Sequence, residues 1–538
     1  MKAEHSTNLK KIVNFAQVLI TQKGTTMPIL GSIIKSALEV RNRIPVEKLK
    51  PQDPYNVQVR TLRKLLRTAQ LTFFGEEYGF SQMLHSDDVV DVFQQKVPLH
   101  DYNSMHRRWW YRTLNGEAFV CWPGQVKHFA LSSGTSEASS KYIPVTPDML
   151  RAIKKTSIKQ LLSLTKYDFP PEFYEKGALM LGGSTHLQYN GTYYEGDLSG
   201  ITTGNIPFWF QHFYKPGNRI SKERNWSTKL EEIVKKAPEW DIGAIVGVPA
   251  WLQILLEKII DQYNLNTIHD IWPNLNIYVH GGVSFSPYVK GFEKLLAHPL
   301  TYVETYLASE GFIAYQSRPG SNSMQLVLDN GIFFEFVPFT DENFEEDGTL
   351  KTTAEALTID EVEEGREYAL LLSSCAGAWR YLIGDTIKFT SKALSEIVIT
   401  GRTKHYLSLC GEHLSQENMN RAIEMLEHEL NISIREFTVA GIRHGSMFAH
   451  KWYLGTNDKV DTEVARRKID EYLKILNDDY RTERLHAVRD VMVEILDPEV
   501  FYNWMRLQGK EGGSFKFPRV LKNAKYEQWD EYLSSLKK

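Results

Sequence analysis

The chain has 538 residues, of which 42% are hydrophobic and 24% are charged, and its formal net charge is −3. This length exceeds the roughly 250–300 residues at which one hydrophobic core stops growing, so more than one core is expected. The near-neutral charge excludes an electrostatic nucleic-acid binder, which would have a basic excess. The aromatic content of 12% excludes a disordered chain.

The three cysteines, Cys121, Cys375 and Cys410, lie far apart in the sequence. Their odd number and spacing exclude a disulfide framework and a paired-cysteine metal site, and they fit a reducing compartment. The first residues lack the apolar stretch and cleavage site of a signal peptide, and no run of about 20 apolar residues predicts a membrane helix. We therefore expect a cytoplasmic protein with no membrane partner.

Helices are predicted for most of the N-terminal third, where residues 45–95 have apolar positions three and four apart. The basic and aromatic residues 107–112 are interpreted as helix packing rather than as a stacking site for single-stranded nucleic acid. A strand-like pattern follows at 119–131. From about 177 onward, strands and helices alternate, which indicates α/β layers. The predicted strands are 178–181, 242–248, 275–279 and 301–306, with a helix at 251–263.

Later apolar runs have no helices between them and predict a mostly antiparallel β subdomain. They are 331–337, 367–373, 386–390 and 396–400. The pattern changes after Gly401 to that of a small α+β domain. Its predicted elements are a helix at 416–430, strands at 435–442 and 447–454, a helix at 462–476 and a strand near 491–496.

The segment 131–146, LSSGTSEASSKYIPVT, follows the strand-like pattern. Small hydroxyl residues around a glycine allow the backbone to approach a phosphate and donate hydrogen bonds to it. Lys141 would add a cation. The spacing is not that of a Walker A motif, and a Ser/Thr-rich hairpin turn is the alternative. The phosphate-binding candidates are Ser132, Ser133, Gly134, Thr135 and Ser136.

A second candidate motif is TYLASEG at 305–311. Beside a triphosphate, Glu310 would be a hard-oxygen ligand for Mg²⁺, Ser309 could donate to phosphate, and Tyr306 offers a flat face to a purine. A surface residue or a helix cap is the alternative for Glu310. The turn at Gly281 and Gly282 exposes backbone where a base edge could dock, although it could simply end a strand.

The segment 377–388, GAWRYLIGDTIK, has a strand–turn–strand pattern containing Arg380 and Asp385. A carboxylate in such a turn can accept hydrogen bonds from ribose hydroxyls, and an ordinary aspartate turn is the alternative. Gly401 can absorb large dihedral changes, which suits a hinge as well as a plain interdomain turn. In GGSFKFPRV, glycines precede Lys516, which suggests a mobile loop that presents one cation or else a solvated strand edge.

The order of these motifs resembles that of the adenylate-forming superfamily, which includes acyl-CoA synthetases, luciferases and peptide-synthetase adenylation domains. Within it, the chain is most similar to the auxin-responsive acyl-amido synthetases (the Gretchen Hagen three family), in their bacterial form. The resemblance runs from about residue 70 to the C-terminus. It is based on SSGTS with Lys141, YLASEG, FFEFVP, AGAWRYLIGD, the pair Gly411-Glu412, and FKFPR. Two departures are residues 137–140, where relatives have more glycine, and His413, where plant relatives have lysine.

The resemblance implies an α/β fold with a large N-terminal domain (1–400) of α/β-layered and β subdomains. A hinge (401–406) would connect it to a small, mobile α+β cap domain (407–538). It also implies that ATP and Mg²⁺ activate a carboxylic acid as an acyl-adenylate, and that an amine, usually an amino acid, then displaces AMP. Transfer to coenzyme A, or a degenerate protein that only binds adenylate, are the alternatives. The partners expected are small molecules, and the chain is expected to be a monomer or a weak homodimer.

The same resemblance implies a role for each motif residue. Lys516 and Mg²⁺ on Glu310 would offset negative charge during adenylation, with Ser309 near the α-phosphate and Arg402 at the ribose side of the hinge. Asp385 would accept from ribose and Tyr306 would lie against adenine. The aromatic and glycine-rich segments 182–208 and 247–255 are acyl-pocket candidates, although core packing explains them equally well. The candidates for the base that deprotonates the amine are His186, His280 and His413, each of which could instead be structural.

Overall fold

The computed structural model describes residues 53–132, 141–203, 211–282, 285, 288–345, 348–404, 406–412, 414–508, 517–522 and 524–537. Within these ranges the α-helices are α1 (Pro54–Ala69), α2 (Phe73–Glu77), α3 (Phe80–Met83), α4 (Val89–Lys96), α5 (Tyr102–Met105), α6 (Tyr111–Leu114), α7 (Pro147–Ser163), α8 (Leu198–Thr203), α9 (Asn218–Ser221), α10 (Trp226–Lys236), α11 (Pro249–Tyr263), α12 (Val289–Glu293), α13 (Gln416–Leu430), α14 (Thr462–Leu476), α15 (Asp478–His486), α16 (Pro498–Leu507) and α17 (Ala524–Leu536).

The strands of the same ranges are β1 (His128–Ser132), β2 (Lys141–Val145), β3 (Gly177–Leu181), β4 (Gln188–Tyr189), β5 (Tyr194–Gly196), β6 (Tyr214–Lys215), β7 (Ile242–Gly247), β8 (Ile277–Gly281), β9 (Thr301–Ala308), β10 (Gly311–Tyr315), β11 (Met324–Leu326), β12 (Ile332–Pro338), β13 (Glu367–Ser374), β14 (Ala378–Ser391), β15 (Glu396–Arg402), β16 (Tyr406–Leu407), β17 (Leu414–Ser415), β18 (Glu436–His444), β19 (Met447–Gly455), β20 (Val488–Leu496) and β21 (Val520–Leu521).

The largest sheet has eleven described strands in the order β12-β13-β14-β15-β11-β10-β9-β8-β7-β3-β6. From β6 to β9 the neighbouring strands are parallel, because helices provide the crossover connections that parallel pairing requires. From β9 to β12 they are antiparallel. The predicted α/β layers and antiparallel strands are therefore confirmed, but they form one continuous sheet rather than two.

The N-terminal helices cover the antiparallel half of this sheet. Helix α1 begins where the side chain of Asp53 accepts from the backbone of Asn56 (3.1 Å), a favourable N-cap. Its buried side chains include Leu62, Leu65 and Leu66, each stabilising the fold by about 1.5–3 kcal/mol. Gln58 anchors the helix at β12, donating to Ile332 O (3.1 Å). Trp109 and Trp110 are also buried, which confirms helix packing for 107–112.

Two predicted strand patterns are wrong in detail. Within 119–131 only the last residues belong to a strand, β1. Asp385 does not lie in a turn, because β14 is continuous through it. The glycine that suggested a turn, Gly384, has a φ of +91° inside a β-bulge, where three residues of β13 (369–371) lie opposite five of β14 (382–386). A bulge redirects side chains without ending the strand.

The C-terminal elements form a second sheet in the order β20-β19-β18-β21. The predicted helices 416–430 and 462–476 are confirmed as α13 and α14, and the three predicted strands are confirmed as β18, β19 and β20. Helices α15, α16 and α17 were not predicted. This part packs on the large sheet's helices, since Gln253 Nε2 donates to Ser446 O (2.9 Å) and Tyr288 Oη donates to Leu409 O (2.7 Å).

Cys121, Cys375 and Cys410 are buried free thiols. No helix in the described ranges is long and apolar enough to cross a membrane. Gly401 and Arg402 belong to β15, so the predicted hinge 401–406 begins inside a strand, and residue 405 of it lies outside the described residues. The boundaries 1–400, 401–406 and 407–538 stay predictions.

Candidate functional site

A buried carboxylate and a buried ammonium group lie near each other at one side of the large sheet. Glu310 is in the turn between β9 and β10, and only 7% of it is exposed. Lys141 begins β2. Burial raises the pKa of Glu310, an effect that the charge of Lys141 opposes, and burial lowers the pKa of Lys141, which Glu310 opposes. The surface-residue alternative for Glu310 is therefore wrong, and each of the two charges stabilises the ionised form of the other.

Asp385 is held by two side chains. Arg402 Nε lies 2.7 Å from Asp385 Oδ1, and the Tyr306 hydroxyl donates to Asp385 Oδ2. Tyr306 is itself buried. The bulge in β14 aims the carboxylate, and each of its oxygens has a second lone pair for another donor. The charges of Lys141, Asp385 and Arg402 all act on Glu310, so the structure brings these predicted site residues together.

The Gly281-Gly282 turn ends β8, next to β9. A Cβ on Gly281 would lie 2.3 Å from Thr305 O, and Gly282 has a φ of +84°. Both positions therefore require glycine, the first because the backbones approach closely and the second because its conformation is left-handed. Both residues line the cavity described below.

The predicted phosphate segment connects two antiparallel strands. Ser132 ends β1 and is paired with Lys141 at the start of β2. Ser309 is half-buried in the turn beside Glu310. The other predicted residues of these motifs lie outside the described residues: Ser133, Gly134, Thr135 and Ser136 of the phosphate segment, Lys516, and the base candidate His413.

A cavity of about 770 Å³ opens beside the Gly281-Gly282 turn, within the usual size of small-molecule sites. Both predicted acyl segments line it, through residues that include Gly182 and Trp251, whereas residues 204–208 lie outside the described residues. Trp226 packs edge-on against Trp251, with ring centroids 4.3 Å apart. The C-terminal part completes the wall, through Gly411 and α15. The two acyl segments therefore border open space as well as core.

Two base candidates, His186 and His280, line this cavity. Burial lowers the pKa of His280 to about 4, and its Nδ1 has no hydrogen-bond partner. A neutral imidazole with so low a pKa is a weak proton acceptor at neutral pH. His280 therefore fits a lining role better than that of a base.

Three motif residues that support the family resemblance are structural. Arg380 and Glu335 form a buried ion pair (Nη2 to Oε1, 2.9 Å), and Arg380 Nη1 also donates to Val97 O (2.8 Å). Glu412 is fully buried and accepts from Cys410 N (2.9 Å), and its Oε1 lies 3.0 Å from His450 Nε2. These residues hold strands and a loop in place rather than facing the cavity.

The cavity also has acidic side chains that no sequence motif predicts. Glu483 and Asp479 are on α15, and Asp197 precedes α8. No local motif identifies them, because the segment of α15 is strongly polar and lacks an apolar stripe.

The sequence matches three domains of one family in order. It matches the GH3 family N-terminal domain at residues 47–191 and 185–300, the GH3 family central domain at 325–402, and the GH3 family C-terminal domain at 417–525. Together these matches cover most of the chain.

Named relatives are plant proteins of low identity. A probable indole-3-acetic acid-amido synthetase of Oryza sativa subsp. japonica is 24% identical over 277 residues, 47% of this chain and 61% of that protein. A jasmonoyl-L-amino acid synthetase of Nicotiana attenuata is 20% identical over 457 residues, 72% of this chain and 76% of that protein. The chain thus spans less than two thirds of the rice protein.

Solved structures share the fold. GH3.15 acyl acid amido synthetase has a TM-score of 0.56 at 16% identity, covering 96% of this chain and 97% of its own. A 2-hydroxyisobutyryl-CoA ligase in complex with an acyl-adenylate and CoA has a TM-score of 0.57 at 11% identity, covering 90% and 93%. With the three domain matches in their order along the sequence, these comparisons lead to one conclusion: the chain belongs to the GH3 family.

Proposed function

We propose that this protein is an ATP-dependent acyl acid amido synthetase. It adenylates a carboxylic acid, releasing pyrophosphate, and then transfers the acyl group to an amine such as an amino acid. The observation that carries the proposal is that buried Glu310 lies close to the partly buried Lys141 and Asp385, which is linked to Tyr306 and Arg402. The proposal is supported by the plant relatives, which are named as a probable indole-3-acetic acid-amido synthetase and a jasmonoyl-L-amino acid synthetase.

The chemistry explains why a set of separate charges is needed. A free carboxylate is a poor electrophile because its oxide leaves badly, whereas AMP disperses the departing charge over a phosphate. Adenylation brings an anionic carboxylate to an anionic phosphate, so cations and donors must lie at the reacting atoms. Lys516 is proposed to supply one such cation, and Lys141 another.

Glu310 is proposed as the protein ligand of Mg²⁺, which when bound offsets the charge of the triphosphate. Among the described residues, no three His, Cys, Asp or Glu side chains form a complete metal site. This fits Mg²⁺, which takes one or two carboxylates and otherwise water and substrate phosphates. Lys141 already lies near Glu310. Lys141 would therefore contact a phosphate group, and Glu310 would hold the Mg²⁺ that neutralises it.

The remaining predicted residues are proposed to bind the nucleotide. Asp385 accepts from the ribose hydroxyls, positioned by Arg402 and Tyr306, and Tyr306 lies towards adenine. Ser309 is proposed to donate to the α-phosphate, and the turn at Gly281 and Gly282 to border the base. The β- and γ-phosphates are assigned to Ser132, Ser133, Gly134, Thr135 and Ser136.

We also propose that domain 407–538 rotates about the hinge 401–406 and moves Lys516 into and out of the site. The rotation would exclude water, which otherwise hydrolyses an acyl-adenylate. We further propose that the chain is the bacterial form of the family. It would be cytoplasmic, and a monomer or a weak homodimer. The three buried free thiols support a reducing compartment.

The first test is ATP–pyrophosphate exchange with the full chain across a panel of carboxylic acids, with Mg²⁺ present. We expect exchange with at least one acid, and amide products by mass spectrometry when mixed amino acids are added. Exchange at background with every acid would overturn the proposal in favour of a degenerate adenylate-binding protein.

The second candidate function is transfer to coenzyme A. The observation in its favour is the structural similarity to 2-hydroxyisobutyryl-CoA ligase. Because the two sequences are only 11% identical, this similarity shows a shared fold and not a shared acceptor. The two functions are distinguished by adding coenzyme A or amino acids, in parallel reactions, to the preformed acyl-adenylate. A CoA ligase would yield a thioester, and an amido synthetase would yield an amide. A thioester without amide would make this chain a CoA ligase.

A further inference from the structure

One end of the cavity is acidic, and the proposed adenylation chemistry does not use it. Asp479 and Glu483 lie on α15, and Asp197 faces them from the loop before α8. The charge of Asp479 acts on both Asp197 and Glu483, so Asp479 lies near each of the other two carboxyl groups. We refer to Asp197, Asp479 and Glu483 as the acidic end.

Glu483 has an unused oxygen although it is almost fully buried. Only 7% of the residue is exposed. Oε1 accepts from Trp251 Nε1 (3.1 Å), while Oε2 is buried with no hydrogen-bond partner. Burial raises the pKa of Glu483, and the charges of Glu412 and Asp479 add to this effect. A buried carboxylate oxygen without a donor is costly to the fold, and this one belongs to a residue that lines a cavity.

The two cationic side chains in the described lining already donate hydrogen bonds to backbone carbonyl groups. Arg224 donates to the carbonyls of His186 (3.0 Å) and Leu187 (3.1 Å). Lys229 donates to Gly182 O (3.2 Å) and only partly offsets Asp197. With Glu195, the described lining has four carboxylates against these two cations. Carboxyl groups therefore outnumber cationic side chains in the described lining.

We propose that the acidic end binds an ammonium group of the acceptor amine, and that the preferred acceptor is an amine with a second, positively charged amino group. This inference rests on the proposed amide-forming function. The ammonium would donate to Glu483 Oε2, beside the ring of Trp251, where a cation is also favourable. Asp197 and Asp479 would favour the same positive charge from a longer distance. The other amino group, uncharged, would extend along the cavity towards Gly282, at the proposed nucleotide site, and attack the acyl carbon, displacing AMP and losing its proton to solvent.

Assignment to the acceptor, rather than to a cationic acyl acid, follows from where the carboxylates lie. Two of the three are on α15, in the predicted cap domain, whereas the predicted acyl segments belong to the N-terminal part. An acyl acid brings a carboxylate, which the acidic end repels, while an amine is attracted. Diamines and basic amino acids have this chemistry.

The direct test is calorimetric binding to the full chain without ATP, using 1,5-diaminopentane and its neutral analogue 1,5-pentanediol. We expect the diamine to bind at least about tenfold more tightly than the diol. Glu483→Gln retains an oxygen for Trp251 but removes the charge, and should weaken diamine binding by about tenfold. Asp197→Asn should act in the same direction. Equal binding of the two probes, or unchanged diamine binding in both variants, would overturn the inference.

The matched control is Glu463→Gln, an exposed glutamate of α14 on the same C-terminal part. It should bind the diamine as the unaltered chain does. A loss in this control equal to that in Glu483→Gln would mean that net charge alone is responsible, and would overturn the assignment to the acidic end. Thermal melting of each variant confirms that binding is measured on folded protein.

Measuring the two half-reactions separately shows whether the bound ammonium group belongs to the acceptor amine or to the acyl acid. With any acid that supports pyrophosphate exchange, we expect Glu483→Gln to lower amide formation from the diamine about tenfold more than it lowers exchange. Equal losses would place the ammonium group on the acyl acid and overturn the inference. Absence of exchange with every acid would instead overturn the proposed function, whatever the binding result.

Discussion

Arg402 Nε lies 2.7 Å from Asp385 Oδ1, and the two residues are direct partners in the register of β14 and β15. The carboxylate proposed to bind ribose is thus fixed by a residue of the predicted hinge 401–406. If the cap rotates about this proposed hinge, the ion pair would connect nucleotide binding to the position of the cap.

Asp385→Asn should weaken ATP binding. Hydrogen bonds to a charged group contribute about 1.5–3 kcal/mol, so we expect the KM for ATP in pyrophosphate exchange to rise about tenfold or more. The control is Asp329→Asn, a half-exposed aspartate paired with Lys159. An unchanged KM in the Asp385 variant would show that ribose is bound elsewhere.

Glu310→Gln should remove the proposed Mg²⁺ ligand while preserving the size of the side chain. We expect pyrophosphate exchange to fall by about 100-fold or more at saturating ATP, with the remaining activity requiring more Mg²⁺. Glu304→Gln, on the strand β9 that precedes the turn of Glu310, is the control. If exchange in the Glu310 variant had an unaltered Mg²⁺ dependence, this assignment would be wrong.

Lys516→Ala should abolish adenylation with little loss of stability. The reason is the missing positive charge at the reacting phosphate. Exchange activity and thermal melting would be measured together, with the exposed Lys525→Ala as control. Near-normal exchange in the Lys516 variant would contradict the role assigned to this lysine.

Arg380→Met should destabilise the fold, because it leaves Glu335 as an unpaired buried charge. Breaking such a pair costs about 3–5 kcal/mol, measured as the free energy of unfolding in denaturant. Arg151→Ala breaks the exposed ion pair with Asp148, which should cost no more than about 1 kcal/mol. Similar losses in both variants would refute a structural role for the buried pair.

Glu412 should make stability depend on acid pH. Burial alone would raise its pKa, but His450 and the backbone N–H of Cys410 lower it to about 2, from a usual value of 4.5. Below the usual value the unfolded chain takes up a proton that the folded chain does not, so stability falls as the pH drops from about 5 towards 2.

The loss for Glu412 amounts to about 3 kcal/mol at most, from 1.36 kcal/mol per pH unit. Urea unfolding between pH 7 and pH 3 measures it. Glu412→Gln should be less stable at pH 7 and lose less on acidification. The same acid dependence in both proteins would exclude Glu412 as its source.

Local signals explain which elements could be predicted. The bounds of α13 and α14 follow from N-caps next to amphipathic stretches, Ser415 and Asp461. Helix α15 was missed because its buried residues are only Tyr480 and Glu483, and a polar helix has no apolar periodicity to detect. The turn predicted at Asp385 was wrong because a glycine in a bulge resembles a glycine in a turn.

The sequence alone determined the classes of residue and their order, and with them the resemblance to a family, because motifs are short runs that keep their chemistry wherever the chain folds. Only the tertiary structure decided that Glu310 is buried near Lys141, and that Trp251 meets Glu483 across 232 residues. Burial and pairing depend on which distant segments come together, and desolvation has no signature in a local pattern. The acidic end of the cavity therefore became visible only in the folded chain.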